Sequence, residues 1–289
     1  MLKYNKHLDS IERKTPTNSK GLRLDKSERL TSIGKEHWSK FITTLTEEDF
    51  SLYPNTTTLI EKIAKHHKTF VENICLNFGS DASIRTVFEA FTKQGGNVVT
   101  SNPCFPMYDV YAKQFQTDLR KGEYYLNDKT NELVFSISSI LKQIDKNTNL
   151  IVLANPNSPI GDFGKEFWFR QLLSNIDLSI PILIDEAYFE FSEFEQFDLL
   201  KYYPNIIITK TFSKALGAAG IRLGYTIANP EVIKILNKLK PTFEVTGPSI
   251  KYAEYILDNY DDIVRPYVES VVEEKREIID KLRKAGYYV

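Results

Sequence analysis

The sequence predicts an α/β protein whose large domain has three layers, with a mostly parallel central sheet. Short apolar runs that suit buried strands, such as Leu150 to Ala154 and Ile206 to Ile208, alternate with segments whose apolar residues recur at helical spacing. This alternation is typical of parallel sheets, because each pair of parallel strands needs a crossover connection. The 289 residues are enough for one large domain or two smaller ones.

The predicted strands are short apolar or β-branched runs bounded by glycine, proline or polar residues. In chain order they are Gly21 to Asp25, Val71 to Asn77, Asn97 to Thr100, Leu119 to Leu126, Leu150 to Ala154, Ile180 to Ile184, Ile206 to Ile208 and Gly224 to Ile227.

The predicted helices begin at small polar residues or at proline, which favour helix N-termini. In chain order they are a helix after Thr56 to Thr58, one opened by residues 78–81, Met107 to Phe115, Ile137 to Ile144, Glu166 to Ile176, one from Pro230, and a long helix from Ser249 to Ala285 with a break near Pro266.

The change in composition at Gly247 and Pro248 is the predicted domain boundary. We expect residues 46–247 to form the large domain and residues 1–45 to belong to a smaller domain or a dimer arm. Residues 248–289 are then the first helix of an incomplete C-terminal small domain. No internal repeat is visible.

The composition excludes several classes of partner. Apolar residues are 42% of the chain, charged residues 26% and the net charge is −1, so neither nucleic acid nor an anionic membrane is an expected partner. No apolar run approaches the length of a membrane span. Cys75 and Cys104 have no metal-ligand spacing, which favours a reducing cytoplasm. His66 and His67 are adjacent and suit a solvated helix surface, so no metal site is expected.

Three loops with polar residues follow predicted strands. Residues 79–81 (Gly-Ser-Asp) open a helix, where exposed N–H groups favour phosphate, although a plain Ser/Asp cap explains them as well. Residues 155–161 (Asn-Pro-Asn-Ser-Pro-Ile-Gly) form either a structural turn or a rigid loop that positions a polar contact. Asp185, at the end of an apolar strand, suits Mg²⁺ or a cationic ring nitrogen, but the glycine-rich loop of a nucleotide enzyme is absent. Because ligands gather at the carboxyl ends of strands in open α/β sheets, we expect the loops to converge.

Residues 209–225 contain a lysine in an environment that suits an anion. Lys214 lies among the hydroxyl residues Thr211 and Ser213, three glycines and Arg222. Alone, the pattern fits an exposed lysine on a flexible loop. Together with the three upstream loops, it favours a lysine that performs amine chemistry beside a bound anion.

The ordered set of motifs resembles the fold-type I pyridoxal-phosphate (PLP) aminotransferases, and within them the histidinol-phosphate aminotransferase-like branch. The motifs are Asn-Pro-Asn-Ser-Pro-Ile-Gly at 155–161, Asp-Glu-Ala-Tyr at 185–188, Thr-Phe-Ser-Lys at 211–214 and Ala-Gly-Ile-Arg-Leu-Gly-Tyr at 219–225. The resemblance covers roughly Tyr53 to Tyr225. It implies pyridoxal 5'-phosphate as the cofactor.

The resemblance implies a role for each group around the cofactor ring. Lys214 would form the Schiff base with PLP and then shuttle a proton between substrate and cofactor carbons. Asp185 would pair with the protonated pyridine nitrogen, and Tyr188 would hydrogen-bond the phenolic oxygen. Phe105 would stack on the ring. The family has asparagine at the position of Ser158, so that contact to the phenolic oxygen is expected to be lost or mediated by water.

The resemblance also implies which residues hold the cofactor phosphate. Arg222 would be a charge-assisted donor. Tyr53 would reach the phosphate of the neighbouring subunit, which requires a homodimer. The other expected phosphate ligands are small or hydroxyl-bearing residues and one acid, namely Gly79, Ser80, Asp81, Thr211 and Ser213.

Two further departures concern the substrate. The Asn-Glu-Asn-Pro stretch of the family appears here as Lys26-Ser27-Glu28-Arg29, which argues against histidinol phosphate itself. The family continues past the position of Val289 into a sheet with an arginine that binds the substrate carboxylate. This sequence contains no counterpart, so we expect either a truncated chain or a shortened enzyme with altered substrate demands.

Three functions remain open on the sequence alone. The first is a PLP-dependent aminotransferase that moves an amino group from an amino acid, with glutamate expected, to a small phosphorylated keto compound. The second is a PLP-dependent decarboxylase of a phosphorylated amino acid, which shares these motifs. The third is a non-catalytic PLP-binding module, against which the complete cofactor constellation argues.

Overall fold

A computed structural model describes residues 4–12, 23–127, 132–162, 164, 166–192, 199–287 and 289. Within these ranges, eight strands form one sheet. In chain order they are β1 (Ile74–Asn77), β2 (Asn97–Asn102), β3 (Asp118–Asn127), β4 (Glu132–Phe135), β5 (Thr148–Ala154), β6 (Ile182–Asp185), β7 (Ile206–Thr211) and β8 (Gly224–Ala228).

Eleven α-helices lie in the same described ranges. In chain order they are α1 (Lys35–Ile42), α2 (Glu48–Ser51), α3 (Thr57–His66), α4 (Gly79–Phe91), α5 (Met107–Gln114), α6 (Ile137–Leu141), α7 (Glu166–Leu173), α8 (Pro230–Leu236), α9 (Gly247–Asp258), α10 (Tyr260–Ile263) and α11 (Arg265–Lys284).

The strand order is β1-β8-β7-β6-β5-β2-β3-β4. Neighbours from β7 to β3 pair in parallel, whereas β8 is antiparallel to both β7 and β1, and β4 is antiparallel to β3. The carboxyl ends of β1, β2, β5, β6 and β7 therefore lie at the same edge of the sheet as the start of β8. The prediction of a mostly parallel sheet is confirmed.

The sheet is buried on both faces, which confirms three layers. Along β5, Ile151 and Leu153 pack into one apolar cluster while Leu150 and Val152 pack into a second. The alternation repeats on β6 and β7. Because successive strand side chains point to opposite faces, the two clusters lie on opposite sides of the sheet. Double burial is why these strands are continuous apolar runs in the sequence.

Two predicted elements differ from the structure. The predicted helix from Ser249 to Ala285 is three helices. The interruption at Val264 is the predicted break near Pro266, which lies in the first turn of α11, whereas the interruption at Asn259 was not predicted. A proline in the first turn leaves no helix hydrogen bond broken, because its missing N–H would be unpaired there anyway. The predicted strand at Gly21 to Asp25 begins outside the described residues, and Arg23 to Asp25 form no strand.

No helix among the described residues is both long enough and apolar enough to cross a membrane.

Candidate active site

The loops singled out in the sequence meet at the carboxyl edge of the sheet. Asp185 is the last residue of β6 and Ala154 the last of β5, and the two pair in register. Thr211 ends β7 and pairs with Gly224 at the start of β8. The expected convergence follows from parallel pairing and is seen here.

A cleft opens at this edge, with roughly 430 Å³ of empty space that is partly continuous with solvent. Six predicted site residues line it, and they come from five separate segments of the chain. They are Ser80, Phe105, Ser158, Asp185, Tyr188 and Lys214, joined by Ala154, Pro156 and Ala187.

Asp185 is a buried carboxylate with neutral hydrogen-bond partners. Its Oδ2 accepts from the Tyr108 hydroxyl at 3.0 Å, and its Oδ1 accepts from the Ala187 N–H at 3.2 Å. Burial raises the pKa of the Asp185 carboxyl to about 6, and these two hydrogen bonds oppose the shift. A cation placed in the cleft beside Asp185 would supply the charge that the neutral partners do not.

Tyr108 was missed by the sequence analysis. It is fully buried on α5, and burial together with Asp185 raises the pKa of its hydroxyl well above the ordinary value, so it stays a donor. The Phe105 and Tyr108 rings meet edge to face, with centroids 5.7 Å apart. A signal was available, because a tyrosine in the apolar face of a helix needs a partner for its hydroxyl.

Lys214 is half-buried in the loop after β7. Its Nζ donates to the backbone carbonyl of Lys26 at 2.6 Å and lies 5.2 Å from the centroid of the Tyr188 ring. The N-terminal segment therefore reaches the cleft, at the stretch where the sequence departs from its family. Arg29 from the same segment packs closely against Gly217. A Cβ added at Gly217 would lie only 2.7 Å from Arg29 Cδ.

The start of α4 is shaped to receive an anion. Gly79 is the first residue of α4, and no side chain caps this helix end, so its first N–H groups stay available. The Arg222 side chain lies directly against Gly79. A Cβ added at Gly79 would be 2.7 Å from Arg222 Nη2. A Cβ at Gly224 would overlap the backbone nitrogen of Ser80, so glycine lets α4 approach β8. Arg222 adopts a left-handed conformation with φ 53°, a strain that is common at functional sites.

The remaining predicted phosphate ligands lie in two segments, with Asp81 in the first turn of α4 and Thr211 and Ser213 at and just after the end of β7. The Thr211 hydroxyl accepts from the Ser213 N–H at 3.1 Å, which shapes the turn before Lys214. Asp81 follows Ser80 in the first turn of α4, but its carboxylate accepts from the Tyr111 hydroxyl at 2.8 Å. That bond holds the Asp81 side chain to α5.

Ser158 lines the cleft together with Pro156 of the same loop. The side chains of the two asparagines before it form hydrogen bonds with other residues of the protein. Asn155 Oδ1 accepts from the Gly164 N–H at 2.6 Å, and Asn157 Nδ2 donates to the Ser101 hydroxyl at 3.1 Å. Asn157 therefore does not substitute for the asparagine that the family has at position 158.

Tyr53 lies apart from this cleft within one subunit. Its side chain is 78% exposed and stacks on the Phe243 ring with a centroid distance of 4.1 Å. It borders a surface groove with Phe50 and Leu52. A role for Tyr53 at a cofactor therefore requires a second subunit.

The donor set fits pyridoxal phosphate. The cleft combines a buried carboxylate that has no cationic partner among the described residues, a primary amine at its rim, an aromatic wall at Phe105, and an uncapped helix start beside Arg222. These features suit a pyridinium nitrogen, an aldehyde, an aromatic ring and a phosphate respectively.

Known proteins match the chain over most of its length. Residues 21–289 match the aminotransferase class I and II family. The histidinol-phosphate aminotransferase of Clostridium novyi is 30% identical over 278 residues, which cover 93% of this chain and 75% of that protein. The enzyme of the same name from Christiangramia forsetii is 35% identical over 230 residues, which cover 79% of this chain and 63% of that protein.

A solved structure shares the fold. It is the histidinol-phosphate aminotransferase of Sinorhizobium meliloti in complex with pyridoxal-5'-phosphate, with a TM-score of 0.80 and 21% identity over 90% of this chain and 70% of that one. The expectations of an aminotransferase-type enzyme and of its PLP cofactor are confirmed at the level of the family. This chain belongs to the aminotransferase class I and II family.

Proposed function

We propose that this chain transfers an amino group from glutamate to a small phosphorylated keto compound, using pyridoxal phosphate. The observation that carries the proposal is the presence, in one cleft, of the amine of Lys214 and the buried carboxylate of Asp185, which forms no ion pair with a described residue. The two relatives described above are both histidinol-phosphate aminotransferases, which supports a phosphorylated acceptor.

When bound, the cofactor supplies an electron sink for negative charge that develops on the substrate carbon. Lys214 would anchor it covalently through Nζ and afterwards hold and return a proton at that atom. Asp185 would keep the pyridine nitrogen protonated, and Tyr108 would hold Asp185 in place through the 3.0 Å hydrogen bond. Phe105 would fix the plane of the ring.

The phosphate would sit at the start of α4. The backbone N–H groups that follow Gly79 would donate to the phosphate, because the N-cap residue Phe78 makes no competing side-chain cap hydrogen bond. Arg222 would add a charge-assisted hydrogen bond from beside Gly79. Ser80 and the turn formed by Thr211 and Ser213 would complete the cradle.

Product analysis tests the reaction. With pyridoxal phosphate bound, L-glutamate should yield 2-oxoglutarate in an amount equal to the active sites, and turnover should need a phosphorylated keto acceptor. Release of CO₂ from a phosphorylated amino acid, with no 2-oxoglutarate formed from glutamate, would contradict transamination and favour the decarboxylase. A protein that binds the cofactor and forms neither product would be the non-catalytic module.

We also propose a homodimer in which Tyr53 reaches the cofactor phosphate of the partner subunit. Around Tyr53, the side chains of Phe50, Leu52 and Phe243 are 68%, 61% and 53% exposed. Together they form a continuous apolar patch, whereas apolar residues on a protein surface are usually scattered singly. Sedimentation velocity should give twice the 33.3 kDa chain mass at micromolar concentration. A single species at the mass of one chain would contradict this assembly.

The family's substrates are small molecules, and a cytoplasmic location remains our proposal. Cys75 and Cys104 are both free thiols in the structure, which supports a reducing compartment.

A further inference from the structure

A buried lysine that does not line the cleft forms two ion pairs. Lys210, on β7, has a side chain only 2% exposed. Its Nζ lies 2.9 Å from Glu186 Oε2 and 3.5 Å from Glu190 Oε1, and those side chains are 5% and 11% exposed. Burial alone would lower the pKa of the ammonium, but the two carboxylates outweigh it and raise that pKa. Lys210 is therefore charged.

Both partners of Lys210 belong to the segment that carries three cleft residues. Asp185, Ala187 and Tyr188 line the cleft, whereas Glu186 and Glu190 flank Tyr188 on the chain and reach Lys210. Phe189, between them, places its ring centroid 4.2 Å from Lys210 Nζ. One ammonium thus contacts the residues on both sides of Tyr188.

Lys210 also lies beside the cleft on its own strand. Successive strand residues point to opposite faces, so Lys210 faces away from the side taken by Thr211. The Glu186 N–H donates to the Thr209 carbonyl at 2.9 Å, which ties the start of the segment to the same strand. Past Glu186, short turn bonds within the segment hold its backbone, such as Phe191 N–H to the Tyr188 carbonyl at 3.1 Å.

We propose that Lys210 is a positioning residue that holds residues 185–191 against β7, so that Asp185 and Tyr188 keep their places in the cleft. A well-packed apolar residue would stabilise a protein interior as well as a buried ion pair does, so stability alone does not account for the arrangement. Charged hydrogen-bonding groups pair with a defined geometry, and these two ion pairs attach both Glu186 and Glu190, on either side of Tyr188, to Lys210 on β7.

The inference rests on the proposed function for its catalytic consequence, but its first test needs no cofactor. Amide hydrogen exchange is measured on the cofactor-free full chain for the wild type and for Lys210→Met, Lys210→Arg and Leu236→Ala. Leu236→Ala is the matched control, because it opens a cavity in the buried face of α8, in the apolar cluster on the other side of the sheet.

We expect exchange in residues 186–192 of Lys210→Met to quicken at least about 10-fold, while the rest of the sheet exchanges as in the wild type. Lys210→Arg should restore protection, because the guanidinium can pair with both carboxylates. Two results would overturn the proposal. One is a wild-type exchange rate for this segment in Lys210→Met. The other is a uniform rise in exchange rate across the sheet, which a general loss of stability would produce.

Glu190→Gln covers the case in which Lys210→Met does not fold. It leaves the 2.9 Å pair with Glu186 intact, so exchange should quicken only in residues 188–192. Unchanged exchange there would overturn the proposal.

The second test is kinetic. In the cofactor-loaded enzyme, kcat of Lys210→Met should fall on the order of 100-fold with little change in KM, since misplacement of cleft groups affects the chemistry more than binding. A wild-type kcat would overturn the positioning role. If the wild type itself shows no cofactor binding, the proposed function fails while the exchange result still decides the role of Lys210.

Discussion

Replacing Lys214 by alanine should reduce transamination by at least about 10⁴-fold, the upper end of what one acid–base group contributes. The structure shows why no neighbour can take over. Among the residues lining the cleft, Lys214 carries the amine, and the other ionisable groups there are the Asp185 carboxyl and the Tyr188 phenol. Steady-state kinetics with glutamate and a phosphorylated keto acceptor measure the loss.

Two controls separate this effect from misfolding. Lys234→Ala removes an exposed lysine whose contact is to Glu231 on the surface of α8, and it should retain wild-type activity. Adding a small primary amine to Lys214→Ala should recover part of the rate, because the missing proton carrier is then supplied from solution. Full activity in Lys214→Ala would contradict the role assigned to this lysine.

Replacing Asp185 by asparagine should reduce kcat/KM by roughly 10²-fold to 10³-fold, since removing one partner of a buried charge pair costs about 2–5 kcal/mol. Asparagine keeps the shape of the side chain and can still accept from the Tyr108 hydroxyl. What it lacks is the negative charge that would hold the pyridine nitrogen protonated. Titration of the variant with pyridoxal phosphate should also show weaker binding.

Stability of the cofactor-free protein provides a second measurement on the same variant. Burial raises the pKa of Asp185 to about 6 from 3.8, so between these values the folded state binds more protons than the unfolded state. The stability that Asp185 contributes is present below about pH 4 and is lost as the pH rises through about 6, which amounts to ~3 kcal/mol.

Urea denaturation at about pH 4 and about pH 7 checks this expectation. The free energy of unfolding should fall less between the two pH values in Asp185→Asn than in the wild type, because the variant has no carboxyl to ionise there. All other titrating groups are shared, so the difference isolates Asp185. If the free energy of unfolding depended on pH identically in both proteins, the carboxyl of Asp185 would have to be either solvent-exposed or paired with a cation.

The fold was predictable because local and global signals agree in this chain. Strands such as β5 and β7 are buried on both faces, so their apolar runs are visible in the sequence without knowledge of their neighbours. Parallel pairing then places their carboxyl ends together, and the loops that follow them carry the polar residues. That is why Lys214, Asp185 and Ser158 could be assigned to one cleft.

Other features depend on contacts that no local pattern specifies. The break at Val264 was visible in the sequence because Pro266 follows it, whereas the break at Asn259 depends on packing, since asparagine has no strong helix-breaking tendency. Tyr108 was missed because its partner is 77 residues away in the chain. In the same way, the ion pairs of Lys210 join β7 to the segment that follows β6.

The domain boundary near Gly247 and the exchange of Tyr53 between subunits stay predictions.

The central claim is that Lys214 anchors pyridoxal phosphate. Its most direct measurement is reduction of the cofactor-loaded protein with borohydride, followed by peptide mass mapping. We predict a cofactor-sized mass increase on the peptide that contains Lys214, at about one per chain. Lys214→Ala should lose both this mass increase and the visible absorption band of the Schiff base. A protein that stays colourless with added cofactor, or a mass increase on another lysine, would contradict the account.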